Sequence, residues 1–188
     1  MLDPDSEAKD AGMKLDLLTG EQTLTRRADL VSLYREVFTG PPWNESEDEV
    51  TAFHDRLAAD AGRPGFRAVL ATGSEGPCGF GTAWPTTSPF PTGRSYGKVL
   101  AALGPARTAQ YLVGALQVDE LAVAPPARGH GLAGRLLGLL CDQRRSWLLT
   151  SPNAPDAIRL YERSGWRQIG AGPEVVVFVS PDRAAAED

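Results

Sequence analysis

Three glycines in the stretch VDELAVAPPARGHGLAGRLL, residues 118–137, have the spacing of a phosphate-binding turn. The pattern predicts an apolar strand, a Pro-Pro break, a glycine-rich turn and a leucine-striped helix. Glycine lets backbone approach an anion, and the first amides of a helix lack intrahelical partners and lie at the positive end of its dipole. Each hydrogen bond to a charged group contributes about 1.5–3 kcal/mol, so about four or five amides suffice without a lysine. The stretch therefore predicts a site for a phosphorylated ligand.

The same glycines, Gly129, Gly131 and Gly134, match the G-x-G-x-x-G pattern of dinucleotide-binding proteins. An NAD-type oxidoreductase is therefore one alternative. In that pattern the glycines follow the strand directly and an acidic residue ends the next strand, where it binds the ribose. Here residues 124–128 intervene, and the next strand ends in LLTSP. Both differences disfavour a dinucleotide, while a purely structural glycine turn remains the simplest alternative.

A second pattern in this stretch, Arg128-Gly129-His130-Gly131-Leu132-Ala133, resembles the acyl-CoA loop of the GCN5-related N-acetyltransferases (GNAT). The resemblance spans residues 66–179, and its most specific parts are ELAVAPPARGHGLAGRLL and APDAIRLYERSGW. It implies an α/β fold with a mixed, mostly antiparallel central sheet flanked by helices, and acetyl-CoA as co-substrate. It also implies that the loop binds the CoA pyrophosphate and that the preceding strand lies beside the pantetheine arm. The cofactor-binding residues so implied are Leu121, Ala122, Val123, Arg128, Gly129, His130, Gly131, Leu132, Ala133, Gly134 and Asn153.

Two residues are candidates for the chemistry of acetyl transfer. Tyr161, in RLYERSGW, matches the family position that protonates the leaving thiolate, although a core tyrosine is the plain alternative. Adjacent strand residues face opposite sides, so only one of Glu120 and Asp119 can reach the amine. Glu120 is favoured, and Asp119 is the alternative. A carboxylate of pKa about 4.3 is too weak to deprotonate an ammonium of pKa about 10.4 directly, by about 8 kcal/mol. We therefore expect it to bind the ammonium or to act through water.

The acceptor site in this family is formed largely by the first two helices and their connection, here FTGPPWNESEDE. Trp43 and Glu45 in that connection suit an amine with an apolar body, and Trp84 could line the opposite wall. The resemblance as a whole implies an N-acetyltransferase acting on a primary amine of a small molecule or a peptide, by direct attack in a ternary complex. A non-catalytic acyl-CoA-binding or sensor domain is the alternative, which the presence of Tyr161 and Glu120 disfavours. No His, Cys and Asp cluster has metal-binding spacing, so no metal is predicted.

Hydrophobic periodicity predicts the elements that carry these residues. Strands are expected at 13–19, 66–71, 78–84, 115–124, 147–150, 166–169 and 175–179. One helix carries Leu30 to Phe38, and a second follows the Ser46 capping box. A leucine-striped helix includes Leu132, Leu136, Leu139 and Leu140, and Asn153 can cap the helix that carries Tyr161. Residues 85–114 are expected to form an irregular loop and two short helices, either a substrate lid or a plain surface insertion.

Length and charge set the remaining expectations. The 188 residues suit one domain at 13–181, with flexible tails at 1–12 and 182–188. The net charge of −5 and the absence of a basic run weigh against nucleic acid and mildly favour a cationic substrate. No apolar run could span a membrane and no secretory signal is evident, so a cytoplasmic protein with buried free cysteines is expected. The expected partners are acetyl-CoA and an amine, with room left for a homodimer.

Overall fold

A computed structural model describes residues 12–181, so the predicted tails at residues 1–12 and 182–188 lie, apart from Gly12, outside the described residues. Seven strands form a mixed, mostly antiparallel sheet flanked by helices, in the order β1-β2-β3-β4-β5-β7-β6. The strands are β1 (Lys14–Leu18), β2 (Arg67–Gly73), β3 (Gly76–Pro85), β4 (Leu116–Val123), β5 (Ser146–Thr150), β6 (Arg167–Ala171) and β7 (Val176–Val179). The pair β4 and β5 is parallel, and it joins Leu116 to Ser146 and Gln117 to Trp147. The predicted fold class is confirmed.

Seven α-helices lie in the described part of the chain. They are α1 (Gly20–Thr25), α2 (Arg27–Phe38), α3 (Glu47–Ala61), α4 (Tyr96–Leu103), α5 (Pro105–Tyr111), α6 (Leu132–Cys141) and α7 (Pro155–Arg163). A 3-10 turn at Pro125–Ala127 precedes the glycine loop. No helix among residues 12–181 is long and apolar enough to cross a membrane.

Two of the first helices begin at capping boxes. Ser46 accepts a hydrogen bond from the Glu49 amide while the Glu49 carboxylate accepts one from the Ser46 amide, as the sequence predicts. Thr19 and Gln22 make the same reciprocal pair ahead of α1. This satisfies amides that have no partner inside a helix. The helix α1 was not predicted, although its capping box is visible in the sequence.

Backbone contacts divide the chain into two compact units, each with its own packing. Unit 1 comprises residues 12–83 and 120–140, and unit 2 comprises residues 84–119 and 141–181. In unit 1, Leu30, Phe53 and Phe80 are almost completely buried. In unit 2, Val99 on α4 and Leu112, directly after α5, join the same cluster as Trp147. The helical part of segment 85–114 therefore belongs to the core of unit 2, while residues 86–95 are irregular, as predicted.

Three local predictions are wrong. Asn153 does not cap α7, because Pro155 starts that helix and Ala154 occupies the cap position without a side-chain bond. A proline at the first helical position needs no hydrogen-bond partner for its nitrogen, so it sets the start there. Leu137, rather than Leu139, shares the buried face of α6 with Leu132, Leu136 and Leu140. Both cysteines are free, but only Cys141 is buried, and partial burial raises the pKa of the Cys78 thiol.

Candidate functional site

The glycine loop follows β4 and leads into α6, as the sequence predicts. The 3-10 turn carries the chain away from the strand, and Arg128 folds back so that its Nε donates to the Val123 carbonyl at 3.0 Å. Gly129 and Gly131 have φ of +84° and +74°, a region that residues with a Cβ avoid. The Gly131 carbonyl accepts the first helical bond, from the Arg135 amide at 3.2 Å. Glycine is therefore required by the backbone at both positions.

Open space lies above this loop. A Cβ built on Gly129, Gly131 or Gly134 would meet no atom within 4 Å. Of the other loop residues, Arg128 and His130 are exposed. At the start of α6, Leu132 is buried and Ala133 is half-buried. The first amides of α6 have no acceptor within the helix and lie at its positive end. The loop therefore has the room, the amides and the field that a pyrophosphate needs.

The strand before the loop packs closely against its neighbours in unit 1. Ala122 is buried, whereas Leu121 and Val123 are half-buried. A Cβ on Gly79 in β3 would lie 3.0 Å from the Ala122 carbonyl oxygen and 3.1 Å from Leu136 Cδ1. Glycine in β3 thus lets α6 lie close against the sheet. This close packing fixes the start of α6, and with it the amides of the loop.

The two adjacent acidic residues of β4 have different arginine partners. In unit 1, the Glu120 carboxylate lies 2.7 Å from Arg56 Nη2, and its side chain is 14% exposed. In unit 2, the Asp119 carboxylate lies 3.4 Å from Arg94 Nη1 and accepts from Gln117 Nε2 at 3.0 Å. Glu120, which the sequence favours over Asp119 for the amine, is therefore the carboxylate that pairs with Arg56.

Tyr34, Glu45, Arg56 and Glu120 form a connected group in unit 1, named here the Arg56 cluster. The Tyr34 hydroxyl donates to Glu45 Oε2 at 2.5 Å, and Arg56 Nη2 lies 3.4 Å from that hydroxyl. The cluster therefore brings two predicted site residues, Glu45 and Glu120, into one network. It contains one cation and two carboxylates, which makes it a site suited to a further positive charge.

Burial and neighbouring charges fix the ionisation of this cluster. Burial raises the pKa of Tyr34 well above its usual range, helped by Glu120 and the bond to Glu45, so Tyr34 stays a phenol. Burial also raises the pKa of Glu45, partly opposed by the hydrogen bond from Tyr34. Burial alone would lower the pKa of Arg56, but the Glu120 charge and the hydrogen bonds hold it above its usual range. Arg56 is thus a permanent cation.

Aromatic rings pack against one side of the Arg56 cluster. Tyr34 stacks on Phe53 with ring centroids 4.0 Å apart, and Phe38 packs on Tyr34 at 4.5 Å. The half-buried Trp43 meets the Phe38 ring edge-on at 5.6 Å. The Glu45 amide donates to the Phe38 carbonyl at 2.9 Å, which closes the connection between α2 and α3. Trp43 and Glu45 are therefore held next to the same aromatic layer.

The remaining predicted site residues lie in unit 2. Tyr161 is 7% exposed, and its ring packs 5.5 Å from Phe178. Asn153 is exposed in the loop before α7, where its backbone amide donates to Ser151 Oγ at 3.1 Å. Trp84 is 3% exposed and lies under Arg94, whose guanidinium carbon is 5.5 Å from the ring. Trp84 consequently has little surface of its own to present to a substrate.

Sequence reasoning missed Arg56 and treated Tyr34 only as a core residue. A signal was present, because Arg56 follows Phe53 by three positions and so shares the apolar side of α3. An arginine on such a face rarely stays buried without a carboxylate partner. Among residues 12–181, no group of three or more His, Cys, Asp or Glu side chains could hold a metal ion.

Comparison with known proteins relates this geometry to a family. The sequence profile of the acetyltransferase (GNAT) family matches residues 27–166. No curated protein matches the chain.

Solved structures share the fold at low sequence identity. An acetyltransferase from Thermus thermophilus is 17% identical, with a TM-score of 0.59 over 90% of this chain and 97% of its own. The PaiA N-acetyltransferase of Thermoplasma acidophilum, solved with coenzyme A, is 11% identical, with a TM-score of 0.61 over 90% and 98%. The ribosomal-protein-S18-alanine N-acetyltransferase of Escherichia coli is 14% identical, with a TM-score of 0.59 over 94% and 97%. By its profile match and its fold, this chain belongs to the acetyltransferase (GNAT) family.

Proposed function

We propose that this protein transfers the acetyl group of acetyl-CoA to a primary amine of a small molecule or peptide, by direct attack in a ternary complex. The observation that carries the proposal is the glycine loop, whose positive-φ glycines leave open space above the amides that begin α6. Membership of the GNAT family supports acyl transfer as the class of reaction.

The loop residues 128–134 are proposed to hold acetyl-CoA by its pyrophosphate, chiefly through backbone amides. Leu121, Ala122 and Val123 are proposed to lie beside the pantetheine arm and to offer backbone groups to it, and Asn153 is proposed to contact the same arm. Acetyl-CoA supplies an acetyl group activated as a thioester. A backbone amide of the strand facing the thioester oxygen would stabilise the negative charge that develops there.

Two side chains are proposed to handle protons. Tyr161 is proposed to protonate the leaving thiolate, since transfer from a free phenol of pKa about 10 to a thiolate of pKa about 8.5 is uphill by only about 2 kcal/mol. Glu120 is proposed to bind the incoming ammonium or to accept its proton through water, because direct deprotonation by a carboxylate is too unfavourable. Its ion pair with Arg56 keeps Glu120 in place.

The acceptor is proposed to be a cationic amine with an apolar body. Support comes from Glu45 and Trp43, which lie next to the aromatic layer of Phe38 and Tyr34, and from the chain's net charge of −5. Trp84, which the sequence suggested for a second wall, is left out of the proposed site because it is 3% exposed and lies under Arg94. We place the reaction in the cytoplasm without a nucleic-acid or membrane partner, and a homodimer is compatible with it.

Thermal unfolding with acetyl-CoA, CoA and NAD in parallel tests the cofactor. Ligand at about 100 times its Kd should stabilise the protein by about 2.7 kcal/mol, a shift of about 5–10 °C. We expect both CoA forms to shift the midpoint and NAD to leave it unchanged. A shift with NAD alone would instead indicate a dinucleotide site.

A matched pair of glycine variants locates the binding. Gly131→Ala adds a Cβ at φ of +74° in the loop, and Gly76→Ala adds one at φ of +114° at the start of β3. Both positions are open, so each variant should lose stability from backbone strain alone, about 1–2 kcal/mol at Gly131 and at least that at Gly76, whose φ lies further from the left-handed helical region. Only Gly131→Ala should also lose the CoA shift. Equal shifts in the two variants would place CoA elsewhere.

A further inference from the structure

Arg56 is a charged residue in a largely apolar environment, where arginine is uncommon without a polar partner. It stands on the apolar side of α3, with its side chain 30% exposed. Its guanidinium carbon is 5.2 Å from the Phe53 ring centroid and 5.7 Å from that of Tyr34. These rings cover one side of the cation and leave its nitrogens for polar partners.

The polar partners of Arg56 come from two other elements. Nη2 donates to Glu120 on β4 at 2.7 Å and lies 3.4 Å from the Tyr34 hydroxyl on α2. Tyr34 in turn donates to Glu45 at 2.5 Å. One guanidinium therefore contacts one carboxylate directly and the second through a phenol that burial keeps protonated.

We propose that Arg56 is a positioning residue for the amine acceptor, fixing Glu120 through the ion pair and Glu45 through Tyr34. The inference rests on the proposed function, since it takes these carboxylates to be the groups that meet the amine. A misplacement of about 1 Å of a catalytic group lowers turnover by about 10²-fold. An anchor spanning α2, α3 and β4 limits such movement.

The ion pair itself is tested first, without any reaction. Unfolding by urea is measured for wild type, Arg56→Met, Glu120→Gln and the double variant. A partly buried pair should give a coupling of about five- to tenfold in the unfolding equilibrium constant. The exposed pair of Arg35 and Glu47, which joins α2 to α3 as Arg56–Glu120 joins α3 to β4, is the control and should give about twofold or less. A coupling at Arg56 no larger than that control overturns the inference.

Turnover of the same variants then tests positioning. Arg56→Met should lower kcat/KM for the amine about 10- to 100-fold and leave the KM for acetyl-CoA unchanged. Arg56→Lys retains a cation within reach of Glu120 and should recover most of the loss. In the Glu120→Gln background, Arg56→Met should lower kcat/KM by clearly less than it does in wild type, because one of the two groups it positions is already altered.

The two hypotheses fail in different ways. A wild-type protein that acetylates no amine refutes the proposed function, whereas the unfolding cycle still decides whether Arg56 holds Glu120. Full additivity of Arg56→Met and Glu120→Gln in kcat/KM overturns the positioning role. A parallel rise in the KM for acetyl-CoA also overturns it, because that result indicates general disorder of the fold. Unchanged activity in Arg35→Met confirms that loss of any ion pair made by α3 is not enough to lower turnover.

Discussion

Ionisation of individual residues depends here on burial as much as on charge. Glu45 is the clearest case, because its surroundings include both favourable and unfavourable groups. Burial and Glu49 raise the pKa of Glu45, while the hydrogen bond from Tyr34 and the charge of Arg56 lower it, and the net shift is upward. The folded protein therefore holds the Glu45 proton more tightly than the unfolded chain does.

This shift predicts a pH-dependent effect of Glu45→Gln on stability. A raised folded pKa means that the contribution of Glu45 is fully present below its unfolded pKa and is lost as pH rises through its folded pKa. The variant cannot ionise, so it should gain stability relative to wild type between about pH 4 and about pH 8. Urea unfolding at the two pH values measures this difference. If the stability of Glu45→Gln relative to wild type instead falls as pH rises, the direction assigned to Glu45 is wrong.

Tyr161→Phe tests the proposed proton donor at the residue scale. The substitution keeps the ring that packs on Phe178 and removes only the hydroxyl. CoA binding should persist while kcat falls on the order of 10²–10⁴-fold. Calorimetric CoA affinity and steady-state kinetics are the two measurements. Unchanged kcat would exclude Tyr161 as the acid and leave the family assignment intact.

The sequence was more informative about residue types than about their partners. Glu45 and Glu120 are identifiable as candidates because motifs and spacing mark their segments. Arg56 is 64 positions from Glu120 along the chain, and no local pattern reports such a contact. The same limit applies to Arg94 and Asp119, which are 25 positions apart.

At the scale of elements, close packing explains why particular positions are glycine. A Cβ on Gly20, the first residue of α1, would lie 2.0 Å from the Ala61 carbonyl oxygen at the end of α3. Gly138 in α6 is exposed, and a Cβ there would meet nothing within 4 Å. The two glycines therefore provide a matched test of helix packing.

Gly20→Ala and Gly138→Ala should change stability in opposite directions. The first forces backbone apart and should lower the free energy of unfolding by about 1–3 kcal/mol. The second gains helix propensity and should raise it by up to about 1 kcal/mol. Urea unfolding of both variants checks the signs. Equal effects would mean that α1 is not held against α3 as described.

Most helices follow from hydrophobic period, and most strands from short alternating or continuous apolar runs, such as Val176–Val179, which is buried on both faces. The failures are local and have local causes. Pro155 sets the start of α7 beyond Asn153, and α1 is too short to show a helical period. The close approach of α6 to β3 could not be predicted, because a glycine in a strand does not show which backbone will lie beside it.

At the scale of the whole molecule, the sheet, the glycine loop and the family all indicate acyl transfer as the class of reaction. The profile match over residues 27–166 and the shared fold establish the family. The residues proposed to select the acceptor amine, such as Trp43 and Glu45, lie outside the recognisable motifs, so the sequence identifies the cofactor class more sharply than the substrate.

The most direct test of acetyl transfer is mass spectrometry of a panel of primary amines incubated with the protein and acetyl-CoA, with thiol release followed in parallel. We expect acetylated product from at least one cationic amine with an apolar body, in amounts equal to the CoA released. Tyr161→Phe should abolish most of both signals. Binding of acetyl-CoA without any acetylated amine across the panel would contradict the proposed function and would indicate a domain that only binds the cofactor.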